Sequence, residues 1–165
     1  MRLFVAIQFS PVVKTALLEA VSTLKRKGTG TFTRPENLHL TLAFIGETED
    51  LPGAKAALDA VCAGGPVSLT VGGLGHFDDL WWTGIRENPK LEKLALAIQS
   101  ALREQGFSIE KRAWKPHVTL VRRWRGPRPS VTVRETSMRA ERVSLMKSER
   151  VNGKLTYTEV YSVRL

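Results

Sequence analysis

His39-Leu40-Thr41-Leu42 and His117-Val118-Thr119-Leu120 are one four-residue phrase written twice, 78 residues apart (39 to 117). The chain has three histidines in 165 residues, and two of them head this H-x-T-L form. From its Thr and Leu frequencies a given histidine would do so by chance roughly once in a hundred, so the pair marks a duplication. The same offset carries outward without a gap. Trp82 falls opposite Phe4 and Ile85 opposite Ile7, while Asn88-Pro89 falls opposite Ser10-Pro11. Leu91, Leu94, Ala95, Ile98 and Leu102 fall opposite Val13, Ala16, Leu17, Ala20 and Leu24, and Gly106 falls opposite Gly28.

Each matched position has a physical task. Ser10 and Asn88 are N-caps, each followed by a proline whose fixed φ suits the first helical turn. The three- and four-residue spacing of the apolar set gives one helical face, and the glycines stop the helices. Strands are expected at 3–9, about 38–45 and 80–86. An internal repeat decides architecture before any other signal. Copies at about 2–46 and 80–124 predict one α+β domain over residues 1–165. It consists of two pseudo-twofold-related lobes, each with antiparallel strands and helices packed outside, and a central cleft between them.

Between the copies, Ala54, Ala57, Leu58 and Val61 predict a further helix, followed by a strand at 67–72 and a glycine turn at Gly72-Gly73-Leu74-Gly75. After the second copy, residues 124–129 read as a Pro/Gly/Arg loop, and residues 131–133 and 142–147 as strands. Asn152-Gly153 between residues 148–151 and 155–163 is a hairpin signal.

Strand geometry gives the repeated phrase its chemistry. Successive side chains alternate between faces, so His39 and Thr41 share one side while Leu40 and Leu42 anchor the other. Two such strands facing across a twofold would hold two imidazoles on opposite sides of one phosphorus atom. A neutral imidazole can take a proton from an attacking water while an imidazolium gives one to the departing oxygen. The Thr41 and Thr119 hydroxyls, with a cation nearby, can stabilise charge on the non-bridging oxygens. His76, in Gly75-His76-Phe77, reads as a structural histidine. Two histidines without a third ligand at a metal-like spacing argue against zinc, so neither metal nor cofactor is expected. Cys62, the only cysteine, reads as a small buried hydrophobe.

Charge is distributed unevenly. Residues 1–110 carry 11 Lys+Arg against 12 Asp+Glu, whereas residues 111–165 carry 14 against 4. The excess of +9 therefore sits in the last third. Such a field favours a polyanion, nucleic acid before membrane. No run approaches the length of a membrane span or has the form of a secretion signal, so a cytoplasmic monomer is expected.

The framing segments 2–7, 36–46 and 115–122 (Arg2-Leu3-Phe4-Val5-Ala6-Ile7, Glu36 to Gly46, Lys115 to Arg122) resemble the two-histidine phosphoesterase superfamily. The likeness is to its LigT-like branch of RNA 2′,3′-cyclic phosphodiesterases, also described as 2′-5′ RNA ligases. It runs nearly the full length, with the two histidine phrases as its most specific part. It implies that His39 is the proton donor to the leaving 3′ oxygen and His117 the proton acceptor that activates water. The expected product is then a 2′-phosphomonoester made without a metal. It also implies phosphate binding by Thr41, Thr119 and Arg122, although strict alternation puts Arg122 off the histidine face unless the strand bends. The expected partner is RNA with a 2′,3′-cyclic phosphate end, such as a tRNA fragment.

Phe4 and Trp82, mates under the offset, are candidates for stacking on a base or ribose. The loop Arg122-Arg123-Trp124-Arg125-Gly126-Pro127-Arg128 is a candidate guide for an RNA tail. Reversible 2′-5′ ligation at the same site, action on a small cyclic nucleotide, and a non-catalytic RNA-binding module are the rival readings.

Overall fold

A computed structural model describes all 165 residues. The chain runs β1 (Arg2–Gln8), α1 (Pro11–Lys27), β2 (Thr29–Phe32), a 3-10 turn (Pro35–Asn37), β3 (His39–Glu47), α2 (Leu51–Val61), β4 (Val67–Phe77), β5 (Leu80–Ile85), α3 (Pro89–Glu104), β6 (His117–Arg125), β7 (Thr136–Ala140), β8 (Arg142–Val151) and β9 (Lys154–Arg164). All three α-helices begin with a side-chain cap and a proline in the first turn. Ser10 Oγ accepts from the Val13 amide, Asp50 Oδ1 from Gly53 and Asn88 Oδ1 from Leu91. No helix is long and apolar enough to cross a membrane.

The strands form two antiparallel sheets, β3-β1-β8-β9 and β2-β6-β5-β4-β7. The repeated pairs β1/β3 and β5/β6 lie one in each. The helices are exchanged between them. Helix α1, which leaves β1 of the first sheet and leads into β2 of the second, packs on β2, β6 and β7 of the second. Helix α3, which leaves β5 of the second sheet, packs on α2 and on β3 of the first. Each copy's apolar stripe therefore buries against the other copy's sheet. Leu17 and Leu24 of α1 and Leu91, Ile98 and Leu102 of α3 are fully buried, each contributing about 1.5–3 kcal/mol. The two halves interlock, with α3 also touching β4 of the second sheet.

Both histidine strands carry a β-bulge at the same place. Against β1, Thr41 pairs with Ala6 and Ala43 with Val5, leaving Leu42 unpaired. Against β5, Thr119 pairs with Trp82 and Val121 with Trp81, leaving Leu120 unpaired. The extra residue puts two consecutive side chains into the core, Leu42-Ala43 and Leu120-Val121. It thereby turns residues 44 and 122 back to the histidine face, as a bulge re-aims a strand. This is the bend that Arg122 needed.

Several expectations are corrected. Gly72–Gly75 is not a turn, because β4 runs through it to Phe77 with an irregularity against β5. Gly75 is bare because the Trp82 indole lies on it, with a Cβ there meeting Trp82 atoms at 2.3 and 2.4 Å. Val131 and Val133 are buried without joining a ladder, and the strand comes later, as β7. Their alternation imitates a strand while the segment packs as an extended connection. Trp124 and Arg125 end β6 rather than begin a loop, and β2 is an additional edge strand with too few apolar residues to signal itself. Gly28 ends α1 with extended backbone rather than as a left-handed cap, since Arg125 O and the Trp124 ring lie 2.5–2.6 Å from where its Cβ would be. Gly106, at φ 94°, takes the conformation that favours glycine. The Asn152-Gly153 hairpin forms, with φ 51° and 76°.

Candidate active site

His39 and His117 open their strands on the faces turned from the main core, and β3 and β6 come into contact where the sheets meet. Both rings are partly exposed. Each is held in the same way. His39 Nδ1 donates to the Asn37 carbonyl at 2.7 Å, and His117 Nδ1 donates to the Lys115 carbonyl at 2.7 Å. A carbonyl can only accept, so the proton is on Nδ1 in both rings and each Nε2 keeps its lone pair. His39 Nε2 lies 2.8 Å from Thr41 Oγ1, two residues along the same face. Imidazole and hydroxyl thus converge as the alternation of H-x-T-L requires.

The surroundings of the two rings differ. His39 packs on Phe4 (4.8 Å between ring centres) and Tyr157 (5.1 Å), which themselves meet edge to face at 4.9 Å. Phe4, Ala6 and Met146, with Tyr157 beside them, form an apolar cluster separate from the main core, lining the cleft side of the first sheet. Burial pushes the His39 pKa down, and the Arg122 guanidinium and His117 push it further, against the opposing pull of the Asn37 carbonyl. Burial raises the Tyr157 pKa, while Arg122 again acts to lower it. Arg122 belongs to the second sheet, and both groups that feel it belong to the first. His117 has Phe77 edge-on at 5.2 Å and Trp82 at 6.1 Å, and Lys115 Nζ lies 5.3 Å from the Phe77 ring centre and 5.1 Å from that of Trp82.

His39, Thr41, His117, Thr119 and Arg122 are thus gathered on the inner faces of β3 and β6. Phe4 is a correction. It is 4% exposed and enclosed by His39 and Tyr157, so it has no free face for a base and serves as the wall of the His39 pocket. Nor is it the mate of Trp82. Trp82 pairs with Thr119, whereas Ala6 pairs with Thr41, so the offset that holds for helices and histidine strands slips by two residues on the first strand. Trp82 does flank His117, lying over Gly75 with its indole N–H buried and unpartnered.

Sequence reasoning passed over Phe44. It is 65% exposed, its ring centre is 6.5 Å from that of Phe4, and it is the 78-residue mate of Arg122. The signal was present in the repeat and became legible once the bulges turned both positions inward. Tyr157, Phe77 and Lys115 had no periodic mark to expose them.

His76 lies apart, stacked on Trp81 at 4.6 Å with Nδ1 3.2 Å from Asp78 O. Cys62 is buried, and desolvation pushes its thiol up to about 11, so it is inert at neutral pH. No group of three His, Cys, Asp or Glu side chains converges as a metal-ligand set.

Comparison with known proteins places this geometry. The sequence profile of the 2'-5' RNA ligase superfamily matches residues 13–152. An RNA 2',3'-cyclic phosphodiesterase of Thermotoga maritima is 34% identical over 132 residues, covering 74% of this chain and 70% of that protein. One of Geobacillus stearothermophilus is 36% identical over 109 residues, covering 60% of this chain but only 34% of that longer protein. A crystal structure from Thermus thermophilus superposes with a TM-score of 0.87 at 26% identity, over 100% of this chain and 98% of the other. With the duplicated histidine strands and the two-sheet architecture, these matches establish that the chain belongs to the 2'-5' RNA ligase superfamily, as an enzyme alongside RNA 2',3'-cyclic phosphodiesterases.

Proposed function

We propose that the protein hydrolyses RNA 2′,3′-cyclic phosphate ends to 2′-phosphomonoesters with His39 and His117 as acid and base, without a metal. The observation that carries this is the twinned Nδ1–carbonyl bond, which fixes the same tautomer in both rings and leaves each Nε2 unprotonated, that of His39 against the Thr41 hydroxyl and that of His117 without a side-chain partner. His117 Nε2 takes a proton from water as the water oxygen bonds to phosphorus. The P–O3′ bond breaks, and protonated His39 Nε2 delivers its proton to O3′, leaving the phosphate on O2′. Thr41, Thr119 and Arg122 hold the non-bridging oxygens, with Arg122 supplying the fixed positive charge.

The depressed pKa of His39 makes its ring a poor proton holder alone and a strong acid once protonated. A bound phosphate anion supplies the charge that brings the proton back. Phe44, on the His39 side, offers the nucleoside an exposed aromatic face where the leaving oxygen must be. Leaving Phe44 in water costs stability, which stacking on a base offsets.

The test is to incubate the protein with a short RNA ending in a 2′,3′-cyclic phosphate, with excess chelator, and determine by phosphorus NMR which hydroxyl keeps the phosphate. A 2′-phosphate at undiminished rate is expected. A 3′-phosphate overturns the assignment of roles, and activity that returns only with added metal overturns the acid–base mechanism.

A further inference from the structure

Seven cations from two distant parts of the chain meet at one edge of the second sheet with no acid paired to any of them. Lys25, Arg26 and Lys27 form the last turn of α1, and Arg122, Arg123, Arg125 and Arg128 lie on and just after β6. All seven are exposed. Two glycines bring the runs together. Gly28 sits where a Cβ would strike Arg125 O and the Trp124 ring, and a Cβ on Gly126 would come within 3.1 Å of Gly28 Cα and Lys27 O. The β2–β6 ladder continues the join, pairing Thr29 with Arg125 and Thr31 with Arg122. The ion pairs of the molecule use other cations, Arg112, Arg134, Arg139, Arg142 and Lys147 among those of the last third. Asp78 and Asp79, on the adjoining β4–β5 turn, form no ion pair either, although Asp79 O accepts from the Trp124 amide.

A cationic last turn is favourable for α1 through its dipole, but that does not account for four arginines placed against it. Unscreened like charges raise the energy of the fold until a polyanion neutralises them. We infer that this edge is a track for the single-stranded RNA backbone leading into the cyclic end, so that the substrate is an oligonucleotide rather than a mononucleotide. The inference rests on the proposed reaction and deepens it. Arg122 belongs to both regions, so the track starts at the phosphate being cleaved and runs along β6 past Arg125 to the end of α1. The Thr29 and Thr31 hydroxyls lie beside it as donors to phosphate oxygens. A membrane would want apolar anchors among the cations, and the large exposed apolar side chains, Val12, Phe44, Phe77, Leu96 and Val151, all lie outside the patch.

The experiment compares kcat/KM for a 2′,3′-cyclic mononucleotide and for a cyclic-ended oligonucleotide, in the wild type and in Lys25→Gln/Arg26→Gln/Lys27→Gln. The wild type should favour the oligonucleotide and lose that preference with salt. If all three side chains touch phosphates, the slope of log kcat/KM against log salt should become shallower by about 2 in the variant. Mononucleotide turnover and melting temperature should hold.

Equal loss on both substrates, an unchanged salt slope, or no length preference in the wild type would overturn the track. So would loss of binding to anionic phospholipid vesicles alone, in favour of a membrane. Arg125→Gln approaches the same phosphates from β6 and should give the same pattern. Binding of a labelled oligonucleotide with an ordinary 3′-hydroxyl end, followed by anisotropy, reads the track separately. If neither cyclic substrate is turned over but this binding is lost in the variant, the reaction is wrong and the track stands.

Discussion

Gly75→Ala should slow turnover from a position that touches neither substrate nor histidine. A Cβ at residue 75 would stand 2.3 Å from one atom of the Trp82 ring and 2.4 Å from another, and ordinary contact begins at 3.4 Å. The backbone at Gly75 does not have the positive φ of its neighbour Gly73, so alanine is tolerated there and the indole must give way. The ring has to move by about 1 Å. Its neighbours are Phe77 at 5.4 Å, the Lys115 ammonium and His117, and the Lys115 carbonyl fixes the His117 tautomer. A misplacement of about 1 Å near reacting groups costs on the order of 10²-fold in rate, and overpacking costs about 1–3 kcal/mol. A loss of about 2–4 °C in melting temperature per kcal/mol should accompany it in a chain of this size. The assay is kcat on a cyclic-ended oligonucleotide beside a thermal melt. Gly75→Ala/Trp82→Leu removes the obstructed ring and should recover the melting temperature. An unchanged kcat in a folded Gly75→Ala protein would refute the claim that Trp82 and Lys115 hold His117 in place.

His39→Ala and His117→Ala should each lower kcat by roughly 10²–10⁴-fold, with far less than the product of the two losses in the double variant. Full additivity, read from single-turnover rates, would show that the rings do not act on one phosphorus. Histidine ring NMR should give His39 a midpoint below about 6.5, and Arg122→Met should raise it, because removing a cation favours the protonated ring. A midpoint that stays or falls breaks the electrostatic assignment. Since the unfolded chain takes up that proton first, stability against denaturant should decline as pH drops below about 6.5 until the folded ring protonates, and His39→Gln should flatten that slope. Phe44→Ala should raise KM about tenfold with kcat held, as base stacking is worth about 1–3 kcal/mol. A fall in kcat alone would place Phe44 in the chemistry instead.

Much of the molecule was legible where local rules and long-range packing agree. Ser10-Pro11 and Asn88-Pro89 start helices because the orphan amides of a first turn need an acceptor wherever the helix packs. The His and Thr of each phrase share a face because a strand alternates. Other features depend on partners distant in sequence. Gly72–Gly75 reads as a turn until Trp82 is seen to need the space above Gly75. Phe4 reads as a stacking surface until His39 and Tyr157 close over it. The two-residue slip between the copies is invisible to residue type, because hydrogen-bond register leaves no mark on an apolar strand.

The chain alone determined the duplication, the α+β class and the placing of the two histidines at the same point of matched strands, since each follows from periodicity and from chemistry shared by residues near in sequence. The tertiary structure alone decided that α1 and α3 exchange sheets, that bulges at Leu42 and Leu120 turn Phe44 and Arg122 inward, and that two basic runs join across Gly28 and Gly126. The reason is physical. A strand's face is set by alternation within itself, whereas what that face meets is set by packing against segments that local sequence cannot specify.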